Sequence, residues 1–266
     1  MSNHSSKRRP FAAIAAGLAA VVLSHGAVAA ESSPPPTSAA PIHNVVLVHG
    51  AYADASSWQE VIARLQKAGM HVTAVQNPLT SLADSVAATE RALAQQDGPT
   101  ILVGHSWGGM VVSQAGVDPK VAGLVYVAAR APDAGEDYTA LAAKFPTPPA
   151  SAGLVKSGGY AQFNEHAFIH DFAGDLDRAR AEVLYAEQAP IADTLFSART
   201  TEAAWRTKPS WYAVSTEDRT ISPELERFMA KRMKATTIEV PASHLSLISH
   251  ADEIADLIVQ AAHNAH

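Results

Sequence analysis

Thr100-Ile101-Leu102-Val103 is an apolar run that gives way at once to Gly104-His105-Ser106-Trp107-Gly108, and residues 108–117 then read as a helix. A strand that passes into a helix across so few residues needs a very tight turn. Side chains two positions either side of the apex would collide there, which explains Gly104 and Gly108. The apex, Ser106, is lifted clear of the sheet and set at a helix N-terminus, where partial positive charge favours developing negative charge. G-x-S-x-G alone is a common pattern. Between a buried strand and a helix it is a specific one.

The rest of the chain alternates in the same manner. Residues 45–48, 72–75, 101–103, 121–127, 211–214 and 237–240 are short runs rich in apolar and β-branched residues. They lack the apolar–polar alternation of a half-exposed strand, so they read as strands covered on both faces. Between them, residues 57–68 carry Trp58, Val61, Ile62 and Leu65 at helical spacing and close on Gly69. Residues 82–93 and 252–262 are amphipathic too, and Ser222-Pro223 has the cap and first-turn proline that open a helix over 223–233. The alternation predicts an α/β fold, a mostly parallel six-stranded sheet flanked by helices.

One segment breaks the rhythm. Residues 132–208 hold no good buried strand, but they hold Phe145, Phe163, Phe168, Phe172 and Phe196, several prolines and a helical patch over 176–186. An insertion of this length, rich in aromatics, predicts a helical cap lying over the site.

A serine hydroxyl keeps its proton at neutral pH, so a nucleophilic Ser106 needs a base. Of the twelve histidines, His244 is best placed, on the loop after the last strand. His250 starts the final helix, and His105, beside the serine, points the wrong way to serve it. When the chain order is Ser, acid, His, the acid follows the preceding strand. That region reads Ser215-Thr216-Glu217-Asp218, which favours Asp218, with Glu217 second and Asp133, after an earlier strand, third. The acid would accept the imidazole Nδ1 hydrogen and fix the tautomer. His49-Gly50-Ala51 follows the first strand, so the backbone N–H groups of Ala51 and Trp107 are the expected oxyanion donors.

With these motifs in place, residues 42–262 resemble the α/β-hydrolase superfamily, most closely the small bacterial and plant branch of carboxylesterases, salicylate-type methyl esterases and hydroxynitrile lyases. The resemblance lies in VLVHGAYADASSW (46–58), LVGHSWGGMV (102–111), EDRTISPELERFMAKRM (217–233) and PASHLSLISHADEIADLI (241–258), in family order. It implies a sheet derived from eight strands and trimmed to six, a helical cap, and Ser106, Asp218 and His244 as nucleophile, acid and base. The expected activity is cleavage of a small, neutral or weakly polar carboxylic ester through an acyl-enzyme. Two alternatives stay open, a cofactor-free lyase using the serine as a base and a hydrolase-like binding protein without turnover. The lyases of this branch have a threonine after the residue matching His49 and a lysine after the catalytic histidine. Here those places hold Gly50 and Leu245, so ester cleavage is favoured, with Leu245 expected to meet an uncharged substrate group.

Residues 1–30 have a basic head ending in Lys7-Arg8-Arg9, a thirteen-residue apolar run over 11–23 and a small-residue exit, Ala27-Val28-Ala29-Ala30. They read as a secretory signal, with Lys7-Arg8-Arg9-Pro10-Phe11 similar to a twin-arginine export motif. The run is too short for a stable membrane span. Residues 31–41, rich in Pro, Ser and Ala, read as a flexible linker, residues 42–266 as the folded domain, and the location as periplasmic or secreted. A net charge of −6 offers no basic excess for nucleic acid, and the absence of cysteine excludes thiolate chemistry. His166 and His170 have i,i+4 spacing but no third metal ligand in view, and no phosphate or dinucleotide fingerprint is present, so no metal and no cofactor is expected. A small-molecule ester is the expected partner, and oligomeric state is not legible.

Overall fold

The structure, a computed structural model, describes residues 42–265. The leader and the linker expected from the sequence lie outside them. Six strands form one parallel sheet: β1 (Asn44–Val48), β2 (His71–Val75), β3 (Thr100–His105), β4 (Val121–Val127), β8 (Ser210–Ser215) and β9 (Thr236–Val240), ordered β2-β1-β3-β4-β8-β9. Each expected strand is present within two residues of its expected ends. The central four, β1, β3, β4 and β8, are buried along almost their whole length. The two edges are not as the apolar runs predicted, because a strand with a neighbour on only one side is covered only in part. β2 and β9 expose residues along most of their length and are fully buried only at Val75 and Val240.

Helices α1 (Gln59–Lys67), α2 (Leu82–Ala94) and α3 (Gly108–Ala115) connect and follow the first three strands. The crossover from β1 to β2 and the crossover from β2 to β3 run in opposite directions along the sheet, so right-handed connections put α1 and α2 on opposite faces. α1 packs with the C-terminal helix α9 (Ala251–Asn264), and α2 packs with α3. The reversal falls between β1 and β3, and the crevice outside the carboxyl ends of such a strand pair is where open α/β sheets bind ligands.

Between β4 and β8 lie helices α4 (Tyr138–Ala142), α5 (Glu165–Ala167) running into a π-turn over Phe168–Phe172, and α6 (Arg178–Glu187). The purely helical cap needs a correction here. Strands β5 (Leu154–Ser157), β6 (Tyr160–Phe163) and β7 (Ile191–Ala192) make a small antiparallel sheet. Its hairpin turns on Gly158 and Gly159, whose φ values of +57° and +82° are the left-handed pair that a two-residue hairpin loop requires. The rest of the fold is α7 (Pro223–Met233), which packs on β8, and the short α8 (Ser246–Ser249) before α9. Among the described residues no helix is long and apolar enough to cross a membrane.

Candidate active site

The turn after β3 folds as its glycines demand. Ser106 adopts φ +52°, in the left-handed region that few side-chain-bearing residues enter without outside support. That support is visible. The Ser106 N–H donates to Val127 O at 3.1 Å, and its carbonyl accepts the N–H groups of Gly109 and Arg130, both at 3.0 Å. A Cβ on Gly104 would stand 2.7 Å from Val112 Cγ2, and one on Gly108 2.6 Å from Val48 O, so both places exclude a side chain.

Ser106 and His244 lie 138 residues apart in the chain, but the Ser106 hydroxyl is 2.7 Å from His244 Nε2. On the other side of the ring, His244 Nδ1 is 2.5 Å from Asp218 Oδ2. The Nδ1 hydrogen therefore faces the carboxylate and the Nε2 lone pair faces the hydroxyl, the tautomer a base needs. The other Asp218 oxygen accepts the N–H groups of Thr220 at 2.6 Å and Ile221 at 2.9 Å, so the carboxylate cannot swing away. His244 is fully buried, and Phe172 of the π-turn packs its ring 5.2 Å from the imidazole.

The competing residues lie elsewhere. Glu217 is exposed, and Asp133 pairs with Arg206 at the surface. His250 caps α9 beside the Ser249 hydroxyl. His166 and His170 are both exposed, with ring centres 4.6 Å apart. Leu245 also departs from expectation. It is buried but lines a small neighbouring cavity with Tyr52, Phe168 and Phe172, not the one over Ser106.

Three residues support the site in roles the sequence does not reveal. His105 is fully buried and its Nε2–H donates to the His244 carbonyl at 2.9 Å. Burial, more than the neighbouring His244 charge, holds its pKa well below 6.5, so it stays neutral and fixes the backbone that carries His244. His49 accepts the Asn77 N–H at Nε2, 2.8 Å away, and so donates from Nδ1 to Gly50 O at 2.9 Å. It pins the loop that presents Ala51. Glu226 on α7 is fully buried behind Asp218, with one oxygen accepting the Ser215 N–H at 3.1 Å. Burial first, then the neighbouring Asp218 charge, push its pKa well above 4.5. The other Glu226 oxygen is buried and, among the described residues, has no hydrogen-bond partner.

Over Ser106 lies a cavity of about 270 Å³. Ala51 and Trp107 line its floor beside the serine. Among the described residues neither of their backbone N–H groups has a hydrogen-bond partner, which leaves two donors free near the hydroxyl. The segment between β4 and β8 supplies much of the wall, including Tyr138, Pro146, Leu154, Phe163 and Phe196. The arrangement can attack a planar carbonyl and hold the oxyanion that results.

Residues 45–257 match the model of the alpha/beta hydrolase family, and the chain belongs to that family. It is 31% identical over 140 residues to a carbendazim-hydrolyzing esterase of Nocardioides sp. (strain SG-4G), a match that covers 46% of this chain and 57% of that enzyme. The chain thus spans little more than half the length of that relative. A pyrethroid hydrolase from Sphingobium faniae JZ-2 superposes with a TM-score of 0.67 at 22% identity, over 83% of this chain and 97% of that one. Polyneuridine aldehyde esterase superposes with a TM-score of 0.70 at 19% identity, over 82% and 98%. These two likenesses are of fold.

Proposed function

We propose that this protein is a serine hydrolase that cleaves a small carboxylic ester, with Ser106 as nucleophile, His244 as base and Asp218 as the acid that orients it. The observation that carries the reading is the unbroken chain from the Ser106 hydroxyl through the His244 ring to Asp218, at 2.7 and 2.5 Å, on the floor of the cavity. Ser106 Oγ bonds to the ester carbonyl carbon as His244 Nε2 takes its proton. The carbonyl oxygen, now an anion, accepts the Ala51 and Trp107 N–H groups. Collapse breaks the bond to the alcohol oxygen, which leaves with the proton from His244. Water then gives a proton to His244 and bonds to the acyl carbon. The second collapse expels Ser106 Oγ, which recovers that proton, and the carboxylic acid departs.

The names of the relatives, a carbendazim-hydrolyzing esterase and a pyrethroid hydrolase among them, support the same class of chemistry. So does Gly50. A Cβ there would stand 2.5 Å from Ser106 Cβ, so this backbone has no room for the threonine that a cyanohydrin-cleaving site would place beside the oxyanion. The same proposal puts the protein in the periplasm or medium, on the strength of the leader-like residues 1–30. The test is a panel of p-nitrophenyl esters of rising acyl length, run beside mandelonitrile. Ester turnover without benzaldehyde release is expected. Serine-dependent benzaldehyde release with no ester turnover would make the protein a lyase.

A further inference from the structure

Arg130 is the residue in the cavity that ester hydrolysis does not use. It comes three residues after the end of β4, and its N–H is bonded to the carbonyl of Ser106. Among the described residues lining the cavity over Ser106, Arg130 alone is charged. Among the described residues its guanidinium has no ion pair and no hydrogen bond. Its one close partner is the face of Tyr138, 4.5 Å from the ring centre. Stacking on a ring orients a guanidinium without satisfying its five N–H donors, which point outward in the guanidinium's own plane and need oxygen acceptors.

The backbone beneath Arg130 is held more firmly than a solvent-facing side chain would need. Tyr212 clamps the residue before it, donating its hydroxyl hydrogen to Ala129 O at 2.5 Å and accepting the Ala129 N–H at 3.1 Å. The N–H of Ala131 contacts Met229 Sδ at 3.2 Å. Ala128 is held at φ +43°, a conformation that persists only where its surroundings enforce it. The guanidinium charge also acts on both tyrosine hydroxyls of the cavity wall, Tyr52 and Tyr138, countering the upward push that burial gives their pKa values. Arg130 itself is half-buried and lines the same cavity as Ser106. Its place in a chain of net charge −6 sharpens the contrast, since the rest of the molecule repels anions.

We propose that the substrate is an ester that also carries a carboxylate, which the Arg130 guanidinium binds while Ser106 attacks the ester carbonyl. A carboxylate matches the planar fork with two parallel hydrogen bonds, and the partly enclosed cavity strengthens the attraction. Monoesters of dicarboxylic acids, or esters of a hydroxy acid, are the chemical classes that fit. The sequence reading expected a neutral group opposite Leu245; Leu245 is outside this cavity and Arg130 is inside it. The inference deepens the esterase reading and rests on it.

The test compares methanol release from monomethyl succinate, monomethyl glutarate and monomethyl adipate with that from methyl hexanoate, and adds butyryl glycolate to put the carboxylate in the alcohol half. At least one anionic ester should exceed the neutral one in kcat/KM by roughly 10- to 100-fold, the range that a hydrogen bond to a charged group supplies. Arg130→Gln should abolish that ratio and Arg130→Lys should keep part of it. Because the ratio is taken on one preparation, a variant that folds poorly does not distort it. No preference in the wild type, or an equal loss on charged and neutral esters in Arg130→Gln, would overturn the proposal. If the wild type cleaves no ester, the esterase reading fails separately. Calorimetric titration of glutarate and adipate into Ser106→Ala, with and without Arg130→Gln, then decides the matter. Binding lost with the arginine upholds the carboxylate site, and no binding to Ser106→Ala refutes it.

Discussion

Two carboxyls share the space behind His244 and serve different ends. Asp218 faces the imidazole, and Glu226, whose pKa burial and the Asp218 charge raise, is buried behind it. Replacing each by its amide separates the roles. Asp218→Asn can turn an N–H₂ group to Nδ1 and so favour the tautomer with its hydrogen on Nε2, and kcat should fall by about 10⁴. Glu226→Gln is near-isosteric and should keep kcat within about threefold, since an amide oxygen still accepts the Ser215 N–H. Its effect is on stability. The folded-state pKa of Glu226 is raised above 4.5, so its contribution is fully present below that value and is lost as pH rises towards the folded pKa. Glu226→Gln cannot ionise and removes that loss. Its unfolding free energy relative to wild type should climb as pH rises above 4.5, at up to about 1.4 kcal/mol per pH unit. Urea melts across that range measure it, and a flat difference would show Glu226 to be ionised in the folded protein.

At the same scale lies the reason some residues were legible and others not. Ser106, Asp218 and His244 each follow a strand end, and the residue types are those the chemistry requires, so position and identity agree in the sequence. Glu226 is one of two glutamates in the first turn of α7, and only the packing of that helix on β8 separates it from the exposed Glu224. Arg130 had a faint signal. It is the first charged residue beyond the carboxyl end of a central strand, the end of a parallel sheet where sites form.

At the scale of elements, the site depends on how closely the loop after β1 approaches the turn after β3. β1 and β3 pair in register, with Val48 opposite Gly104, so both chains leave the sheet at the same level and Gly50 passes against Ser106. Gly50→Ala should push that loop outward and carry the Ala51 N–H off the oxyanion. A displacement of about 1 Å can lower a rate by about 10², and kcat should fall by at least that much. Gly135→Ala is the control. Gly135 has φ +72° with open space around its Cβ position, so the change should reduce stability by about 1–2 kcal/mol and leave kcat alone. Equal kcat values in the two variants would mean that the Gly50 contact does not set the site. The six sheet strands were legible because β-branched apolar runs have few other uses, whereas β5 to β7 were not. β5 and β6 are four residues each and β7 two, half exposed, and depend on the Gly158-Gly159 turn, a hairpin signal overlooked among the prolines and helical patches.

For the whole molecule, sheet and cap segment divide the labour. The sheet sets Ser106, Asp218, His244 and Ala51 at the carboxyl ends of β3, β8, β9 and β1, and the segment between β4 and β8 closes a cavity over them. All of it turns on whether Ser106 is the nucleophile. The direct measurement is intact-mass spectrometry after treatment with a fluorophosphonate, followed by peptide mapping and an ester assay on the same samples. One phosphonyl group per chain, on Ser106, with label and turnover both abolished in Ser106→Ala, is the expected result. Full turnover in Ser106→Ala, or a label on another residue, would contradict it.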